Sequence, residues 1–491
     1  FFKIFLSFFL GVLPLLWGPA QASDGDLWQR VQSQLSLYRL EHRRIDAERS
    51  WYERNPEYMR RVSERAAPYL HHVVEEVERR GMPMELALLP IMESAYDPFA
   101  YSHGRAAGIW QIIPGTGRDL GLTQDWWYDG RRDVRASTDA ALNYLGDLSE
   151  AFDGDWLKAL AAYNGGKRRL QNAIAANRSS GRATDFWSLK LPVETRNYVP
   201  RLLALSQVIA DPDAHGIVLT PAPDQAYFGV VDTGSQIDLA QAASLANIDI
   251  ESLYMLNPGF NRWATSPEGP HQLLLPVARL ADFNAGLADL DPTQRVKWVR
   301  YTIRNGDAMS LIARKFNTEA GVIREVNGLR SNKIRAGATL MIPTASAPLE
   351  LYALSVEQRT ANKQERGTGN RLDYRVKPGD SFWLIARRHG VSTRKLAEWN
   401  GLAVRDSIHP GQNLVIWTPL PVSVTAPPVS SRDPVVRKLG YRVRNGDSLA
   451  RIAGKFNISV ADIVGWNHKL QGKKYIHPGQ VLTLYVDITG S

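Results

Sequence analysis

The arrangement of hydrophobic and polar positions divides the chain into two parts of different character. From about residue 26 to residue 210, apolar residues recur at helical spacing, without a long run of the alternation typical of strands. Tyr69, Leu70, Val73 and Val77, for example, fall on one helical face, with charged residues opposite. After residue 211, Pro, Gly and short β-rich runs appear. The pattern predicts an all-α domain followed by small mixed α+β domains.

The helical part divides again near Pro68. Residues 23–67 have a helical composition but no clean apolar face, so we expect an N-terminal helical segment that packs on the next domain. Residues 68–212 carry a tighter pattern and are predicted to form the main helical domain.

Three segments of the second part repeat one another. They begin at Tyr301–Asn317, Tyr374–Gly390 and Tyr441–Asn457, and each reads strand, turn, helix, helix, strand. The predicted units are residues 299–344, 372–418 and 440–486. Their spacing is uneven, which favours separate small domains over a stacked solenoid. The polar stretch 358–370 and the Pro/Ser-rich stretch 419–432 lack periodicity and are predicted to be linkers.

A fourth, degenerate unit is predicted at residues 226–277. Its two helical runs end at Asn257, where the other units have Asn327, Asn400 and Asn467. Its turn, 233–235, lacks the Asp of the other three turns, so we expect the fold to be kept and sugar binding to be weakened or lost. If the two strands are not paired around these helices, the prediction fails.

Composition limits the classes of function. The formal net charge of +9 reflects either solubility alone or a polyanionic partner, such as acidic lipid or a carboxylate-bearing wall polymer. No zinc-finger or helix-turn-helix pattern occurs, which disfavours nucleic acid. The sequence has no cysteine, which excludes disulfides and thiolate metal sites. We expect neither a metal nor a cofactor.

The first 22 residues have the pattern of a secretory signal peptide. Lys3 precedes an apolar run, Ile4–Trp17, and Ala20–Ala22 forms a small-x-small cleavage site before Ser23. We therefore expect export to the periplasm or cell envelope of a Gram-negative bacterium. An uncleaved segment that associates with the membrane is the alternative, while the lack of cysteine argues against lipid anchoring.

Glu93 is the candidate catalytic residue, and it ends the apolar run Leu86–Met92. A carboxylate in this position is either a solvated residue of a last helical turn or an acid with a raised pKa. The position alone does not decide between them. The nearest second carboxylate in the sequence, Asp97, precedes Pro98 and reads as a turn residue.

The three repeated units resemble the LysM domain, through their turns, helices and terminal Asn. The alternative is three copies of an anonymous βα unit. The resemblance implies a βααβ fold that binds glycans containing N-acetylglucosamine. The glycan-binding turns would then include the following residues: Gly306, Asp307, Gly379, Asp380, Gly446 and Asp447.

The helical domain resembles the lytic transglycosylase family, which has a goose-lysozyme-like fold. Three motifs carry the resemblance: Glu93-Ser94 with Ser102 and Trp110-Gln111, then 162–166, then 194–199. The second motif departs from the family pattern, with Gly165 in place of Ala. With its LysM-like tail, the chain is similar to lytic murein transglycosylases of the membrane-bound D type. The substrate-binding residues carried over from the motifs are Ser102, Gln111, Tyr163, Asn164 and Tyr198.

The resemblance implies cleavage of peptidoglycan by one acid, Glu93. The C6 hydroxyl of N-acetylmuramic acid would close onto C1 and leave a 1,6-anhydro end. We expect the enzyme to act on glycan strands as a monomer. Two alternatives stay open: a muramidase of the same fold that adds water, and a non-catalytic wall-binding protein. Ser102 could equally be a turn serine, Gln111 a solvated helix start, and Tyr163 and Tyr198 core aromatics with satisfied hydroxyls.

Overall fold

The computed structural model describes residues 25–102, 104–418, 436–444, 447–456, 458–467, 470 and 476–487. The predicted signal peptide, the predicted linker 419–432 and Gly446 lie entirely outside these residues. The described chain forms two compact units. The first contains residues 25–100, 107–260 and 265–295, and the second contains residues 101–106, 261–264 and the remainder from 296 onward.

The first unit is built mainly of helices, as the apolar spacing predicts. They are α1 (Leu27–Gln34), α2 (Arg43–Glu53), α3 (Pro56–Arg79), α4 (Leu89–Ser94), α5 (Pro114–Asp119), α6 (Val134–Ala151), α7 (Trp156–Gly165), α8 (Lys167–Ser179) and α9 (Val193–Ala210). Side-chain oxygens of Asp26, Asp133 and Asp155 accept hydrogen bonds from the first turns of α1, α6 and α7. These caps fix where the three helices begin, because they satisfy N–H groups that have no partner within the helix.

Helix α3 crosses the boundary that the sequence predicts at residue 68. It runs for 24 residues, with Pro68 inside it. A proline in a helix interior removes one backbone hydrogen bond. The apolar face is nevertheless continuous across it, since Val62, Ala66 and Leu70 are fully buried. Burial of this face outweighs the local cost of the proline, and the N-terminal segment and the main domain therefore share one helix.

The core of the first unit gathers the apolar faces of these helices around α9. Leu202, Leu203 and Leu205 of α9 are fully buried, and α2 and α7 both pack against this helix. The run that leads to Glu93 belongs to the same core, because Leu86 and Leu89 are also completely shielded from solvent. The candidate acid is thus attached directly to the buried core of the domain.

Residues 228–276 of the same unit have the strand–helix–helix–strand order expected for the degenerate unit. The elements are β1 (Phe228–Asp232), α10 (Leu239–Leu245), α11 (Ile250–Leu256) and β2 (Gln272–Pro276). The strands pair antiparallel, from Phe228 opposite Pro276 to Asp232 opposite Gln272. The LysM-like unit continues into α12 (Leu280–Asp289), which the sequence analysis left out. It contacts the helical domain, since the Tyr69 hydroxyl donates to the Met255 carbonyl at 2.8 Å.

The second unit contains three further βααβ units, each with a two-stranded antiparallel sheet. Their elements are β3 (Lys297–Thr302), α13 (Met309–Lys315), α14 (Ala320–Val326) and β4 (Thr339–Thr344); β5 (Asn370–Arg375), α16 (Phe382–Arg388), α17 (Thr393–Trp399) and β6 (Asn413–Thr418); and β7 (Val436–Arg442), α18 (Leu449–Phe456), α19 (Val460–Trp466) and β8 (Val481–Asp487). A helix, α15 (Val356–Glu365), precedes β5. The predicted fold class, an all-α domain followed by small α+β domains, is confirmed.

The repeated asparagine has a clear structural role in all four units. In the unit of β5 and β6, the Asn400 amide donates to the Leu396 and Val415 carbonyls at 2.8 Å, and its Oδ1 accepts from the Val415 N–H at 2.7 Å. Asn257, Asn327 and Asn467 make the same three contacts in their own units. The side chain therefore joins the end of the second helix to the last strand.

The predicted linker at residues 358–370 lies between two βααβ units and is helical over more than half of its length. Helix α15 covers residues 356–365, and Ser355 caps it by accepting from the Gln358 N–H. None of its residues is fully buried, so no apolar periodicity marks it in the sequence. It is held instead by polar contacts, because Gln364 donates to Asn400 Oδ1 at 3.0 Å and accepts from the Trp417 indole at 2.9 Å.

Across the described residues, no helix combines the length and the apolar character needed to span a bilayer.

Candidate active site

Glu93 lies in the last turn of the short helix α4. A tight 3₁₀ segment, Met84–Leu88, leads into this helix and is buried throughout. The helix stops where it does because Ala95 and Tyr96 adopt the left-handed conformation, with φ of 52° and 55°. The Tyr96 side chain is fully buried, and its hydroxyl donates to the Ala87 carbonyl at 2.9 Å. This anchor holds the end of the helix, and with it Glu93, in one position.

The carboxyl group of Glu93 is held in a largely apolar setting. Burial raises its pKa to about 7, although the hydrogen bond from Tyr198 acts in the opposite direction and the negative charge of Glu194 adds to the rise. The Tyr198 hydroxyl donates to Glu93 Oε1 at 2.6 Å. A carboxyl group with a pKa near 7 can exist in either protonation state at neutral pH, which is what a group that both gives and takes a proton requires.

Tyr198 lies on α9, and only 6% of its surface is exposed. Tyr163, on α7, donates from its hydroxyl to the Trp110 carbonyl at 2.8 Å. Burial first, and then the negative charge of Glu93, raises the pKa of Tyr163 well above its usual range. Both tyrosines therefore lie beside Glu93, and both hydroxyls have partners within the protein. Trp110 is itself fixed, since its indole N–H donates to Thr138 Oγ1 at 2.9 Å.

Gln111 lies in a tight turn and not at the start of a helix. Its φ is 47°, and its amide donates to the Gly108 carbonyl at 2.9 Å and to the Ala100 carbonyl at 3.3 Å. The turn brings Ala107 and Ile112 into a short β-bridge. Gly108 is required here, because a Cβ would lie 2.2 Å from the Arg131 carbonyl oxygen. Gln111 thus stabilises the loop that follows Glu93.

Ser102 closes a small loop of its own. Its Oγ accepts from the Ala106 N–H at 3.0 Å, and its own N–H donates to the Ala106 carbonyl at 2.9 Å. Asn164 follows Tyr163 in α7 and is partly exposed. The contacts described for these two side chains do not connect them to Glu93, in contrast to Tyr163 and Tyr198.

The second and third motifs meet between α7 and α9. A Cβ on Gly165 would lie 2.8 Å from two side-chain atoms of Thr195, so the glycine found here in place of Ala lets the two helices approach closely. This contact aligns Tyr163 and Tyr198, one on each helix. The sequence showed both motifs but gave no direct sign that they touch.

The charged neighbour of Glu93 is Glu194, which sequence reasoning did not assign to that role. Glu194 is exposed in the first turn of α9, one helical turn before Tyr198. The i,i+4 spacing of 194 and 198 was the signal that could have found it. Asp97, the nearest carboxylate in sequence, accepts instead from the Phe99 N–H at 2.8 Å and so forms the turn expected before Pro98.

The turn aspartates of the three LysM-like repeats have internal partners. Asp307 accepts from the Tyr301 hydroxyl at 2.8 Å and from the Arg304 N–H at 2.7 Å. Asp380 and Asp447 make the equivalent two contacts. The adjacent Gly306 and Gly379 have φ of 86° and 85°, so the turns need glycine. The carboxylates organise the turns, and the degenerate unit lacks this arrangement because it has no Asp there.

Family models match most of this architecture. A model described as "Transglycosylase SLT domain" matches residues 74–186, and the LysM domain model matches residues 301–343, 374–417 and 441–484. A third, described as "Lytic transglycosylase MltD, LysM-like domain", matches residues 227–292. The last match includes α12 and covers the unit identified above by its strand pairing.

Several known proteins are similar to all or part of this chain. The chain is 38% identical over 411 residues to membrane-bound lytic murein transglycosylase D of Escherichia coli strain K12, which covers 82% of this chain and 87% of that protein. An autolysin of Enterococcus faecalis is 27% identical over 169 residues, or 34% of this chain and 22% of that protein. The crystal structure of the 70 kDa soluble lytic transglycosylase Slt70 of E. coli matches 28% of this chain and 24% of that chain, with 24% identity and a TM-score of 0.24.

The identity to the E. coli transglycosylase extends over most of both chains, and the domain matches follow one another in the order that the fold shows. The resemblance inferred from the motifs is confirmed. The chain belongs to the membrane-bound lytic murein transglycosylase D family and is a lytic transglycosylase whose LysM domains bind glycan.

Proposed function

We propose that the enzyme cleaves the β-1,4 bond between N-acetylmuramic acid and N-acetylglucosamine in peptidoglycan, with Glu93 as its single acid and base. The observation that carries the proposal is the state of Glu93: its side chain is partly buried, accepts one hydrogen bond from Tyr198 and has a pKa of about 7. Such a group is protonated often enough at neutral pH to act first as an acid.

The reaction balances without water. Protonated Glu93 gives its proton to the glycosidic oxygen, the bond from that oxygen to C1 of the muramic acid breaks, and the N-acetylglucosamine part leaves as an alcohol. The acetamido group of the muramic acid stabilises the positive charge at C1. The Glu93 carboxylate then takes the proton of the C6 hydroxyl, whose oxygen bonds to C1. The product has a 1,6-anhydro end, and Glu93 is protonated again.

The surroundings of Glu93 support this route over hydrolysis by two carboxylates. Glycosidases of the two-carboxylate kind need a base or nucleophile on the far side of the sugar. Asp97 already accepts a backbone hydrogen bond in its turn, and Glu194 is exposed at the start of α9. With no second carboxylate placed for attack among the described residues, the C6 hydroxyl of the substrate is the nucleophile of this proposal.

Ser102, Gln111, Tyr163, Asn164 and Tyr198 are the proposed substrate-binding residues. For Tyr163 and Tyr198 the support is their proximity to Glu93. For Gln111 and Ser102 it is their position in the loop after α4, where each closes a turn by its side chain. Asn164 is adjacent to Tyr163 and partly exposed.

The LysM domains are proposed to hold the enzyme on glycan strands through the turns at Gly306-Asp307, Gly379-Asp380 and Gly446-Asp447. Because peptidoglycan lies in the cell envelope, we propose that the enzyme acts in the periplasm or cell envelope. Association with the membrane is a separate proposal. We propose a monomer as the working form.

The direct experiment replaces Glu93 by Gln. We expect Glu93→Gln to lower wall-clearing activity by at least about 10²–10⁴-fold, the usual contribution of general acid–base catalysis. Glu150→Gln, an exposed glutamate of α6, is the matched control and should keep full activity. A Glu93→Gln enzyme that clears walls as fast as the parent contradicts the assignment and favours a wall-binding role for the domain.

A further inference from the structure

A cavity of about 860 Å³ lies between the helical domain and the LysM-like unit of residues 228–289. Its walls come from α3, the loop that precedes α6, the first turns of α6 and the loop that leads into β2. The volume falls within the range of small-molecule binding sites in proteins. None of the proposed catalytic or substrate-binding residues around Glu93 lines it, so it is a separate site.

Most of the charged side chains around the cavity form hydrogen bonds or ion pairs with other residues of the protein. Asp133 accepts from the Tyr128 hydroxyl at 2.5 Å and caps α6, and Glu76 and Asp139 both form ion pairs with Arg80. These groups stabilise the walls. These groups already have partners within the protein, so they do not by themselves indicate a ligand.

Three polar groups around the cavity lack such partners within the described parts of the chain. Nε2 of His72 is buried and makes no hydrogen bond. The side chains of Arg135, on α6, and Glu268, in the loop before β2, line the cavity from solvent-exposed positions and form no hydrogen bond or ion pair with other described residues. Arg135 offers a fork of donors suited to a carboxylate, and Glu268 offers an acceptor suited to an ammonium group.

Charged groups of opposite sign, on α6 and on the loop before β2, line the same cavity and would fit a ligand that carries both charges. We propose that this cavity binds a short peptide with a free amine and free carboxylates, of the kind that branches from the glycan strands of peptidoglycan. The carboxylate would pair with Arg135, the ammonium group with Glu268, and His72 would meet a polar atom of the peptide. This proposal rests on the proposed substrate but not on the proposed chemistry at Glu93.

A peptide site on the helical domain would give the enzyme a second binding site for peptidoglycan, in addition to its glycan-binding sites. Binding of a peptide here and of glycan elsewhere would be multivalent, so weak individual contacts would still retain the enzyme. The LysM-like unit, whose turn lacks the Asp of the other three units, would then contribute to peptide binding. Its loop at Glu268 completes the peptide site, whether or not its own turn binds sugar.

The test is a calorimetric titration of the full-length protein with the synthetic tripeptide L-alanyl-γ-D-glutamyl-meso-diaminopimelate. We expect saturable binding, and a loss of about tenfold or more in affinity for Arg135→Gln and for Glu268→Gln, since each removes one charge-assisted contact. Arg169→Gln and Glu251→Gln change the same charges at exposed positions outside the cavity and should bind as the parent does.

Two further measurements make the result specific. Thr123→Trp places a large side chain into the cavity and should abolish peptide binding without changing the activity on glycan that lacks peptides. The ring resonances of His72, assigned with His72→Gln, should shift when the tripeptide is added. Activity on peptide-free glycan reports on Glu93 alone, so failure of the catalytic proposal and failure of this one are distinguishable.

Three outcomes would overturn the proposal: no binding of the tripeptide, equal affinity in the cavity variants and their controls, or displacement of the peptide by a soluble N-acetylglucosamine oligomer. The last would show that the cavity takes sugar.

Discussion

The hydroxyl of Tyr198 donates a 2.6 Å hydrogen bond to Oε1 of Glu93, across 105 residues of sequence. The contact joins the end of α4 to α9, and therefore links the first motif to the third. It favours the ionised carboxylate, while burial favours the protonated acid and is the larger influence. The balance of the two holds the pKa of Glu93 at about 7.

The first prediction concerns Tyr198→Phe. In the free enzyme, Glu93 must be protonated to act as the acid, so kcat/KM should fall as the pH rises through about 7. Loss of the Tyr198 hydroxyl removes a hydrogen bond to the carboxylate and raises the pKa of Glu93 further. We therefore expect the alkaline side of the pH profile to move to higher pH. The profile of kcat/KM on a soluble glycan fragment measures this shift.

Tyr144→Phe serves as the control for this variant. Tyr144 is half-buried beside Tyr163, with ring centroids 6.0 Å apart, but lies outside the contact with Glu93. Its pH profile should match that of the parent. A shift of the Tyr198→Phe profile to lower pH would mean that the hydroxyl does not stabilise the ionised form of Glu93.

The second prediction concerns stability. The pKa of Glu93 is raised from 4.5 to about 7 in the folded state, so the folded chain retains the proton over a pH range where the unfolded chain has lost it. The free energy of unfolding should therefore fall as the pH rises from about 4.5 to 7, by at most about 3 kcal/mol from this group.

Glu93→Gln removes this ionisation. Relative to the parent, the variant should gain stability between pH 5 and pH 8, and Glu150→Gln should not. Thermal unfolding of the helical domain, followed by near-ultraviolet circular dichroism at both pH values, gives the difference. An equal difference between Glu93→Gln and parent at both pH values would show that Glu93 titrates with an ordinary pKa.

The third prediction tests the asparagine that joins helix to strand in each βααβ unit. Asn400 is 4% exposed, and its replacement by Ala leaves the Val415 N–H and two carbonyls without partners. Unsatisfied buried groups of this kind cost about 1–3 kcal/mol each. We expect Asn400→Ala to lower the local stability by at least about 3 kcal/mol.

Amide hydrogen exchange of β6 measures this loss. Asn413→Ala, at an exposed position of the same strand, should leave protection unchanged. Unchanged exchange of the Val415 amide in Asn400→Ala would show that the side chain does not hold the strand.

The fourth prediction separates binding from chemistry. A triple variant, Asp307→Ala, Asp380→Ala and Asp447→Ala, loses the turn contacts to Tyr301, Tyr374 and Tyr441. We expect at least about a tenfold loss of affinity for isolated cell walls, because three weak sites act together. The turnover of short soluble glycan should stay that of the parent. A matching loss in both assays would contradict this division of roles.

The matching triple Asp→Asn variant keeps a side-chain oxygen for the backbone N–H but removes the charge. If it binds cell walls as the parent does, the aspartates act through the shape of the turn. If it loses affinity like the alanine variant, the charge itself takes part in glycan binding.

Features that depend on a local sequence pattern could be predicted from the sequence. The apolar run up to Glu93, the repeated turn aspartates and the terminal asparagines all recur at regular spacing, and the fold class followed from them. The helical apolar face was also visible, but the sequence did not show that one helix, α3, continues across the predicted boundary at Pro68. The sequence shows the cost of a proline locally and does not show the burial that outweighs it.

Features that depend on tertiary contacts could not be predicted from the sequence in the same way. Helix α15 has no apolar face to detect, and it is held by Gln364 and Trp417 through polar contacts distant in sequence. The charge of Glu194 beside Glu93 depends on how α9 packs against α4. The approach of Gly165 to Thr195 likewise depends on two helices that the sequence places separately.

The central claim is that the substrate's own C6 hydroxyl, and not water, attacks C1 after Glu93 has given its proton. Digestion of purified peptidoglycan in water enriched in ¹⁸O, followed by mass spectrometry of the fragments, tests it most directly. The account predicts anhydro ends with no ¹⁸O at the newly formed termini. Fragments that are heavier by one molecule of labelled water would contradict it and identify the enzyme as a muramidase.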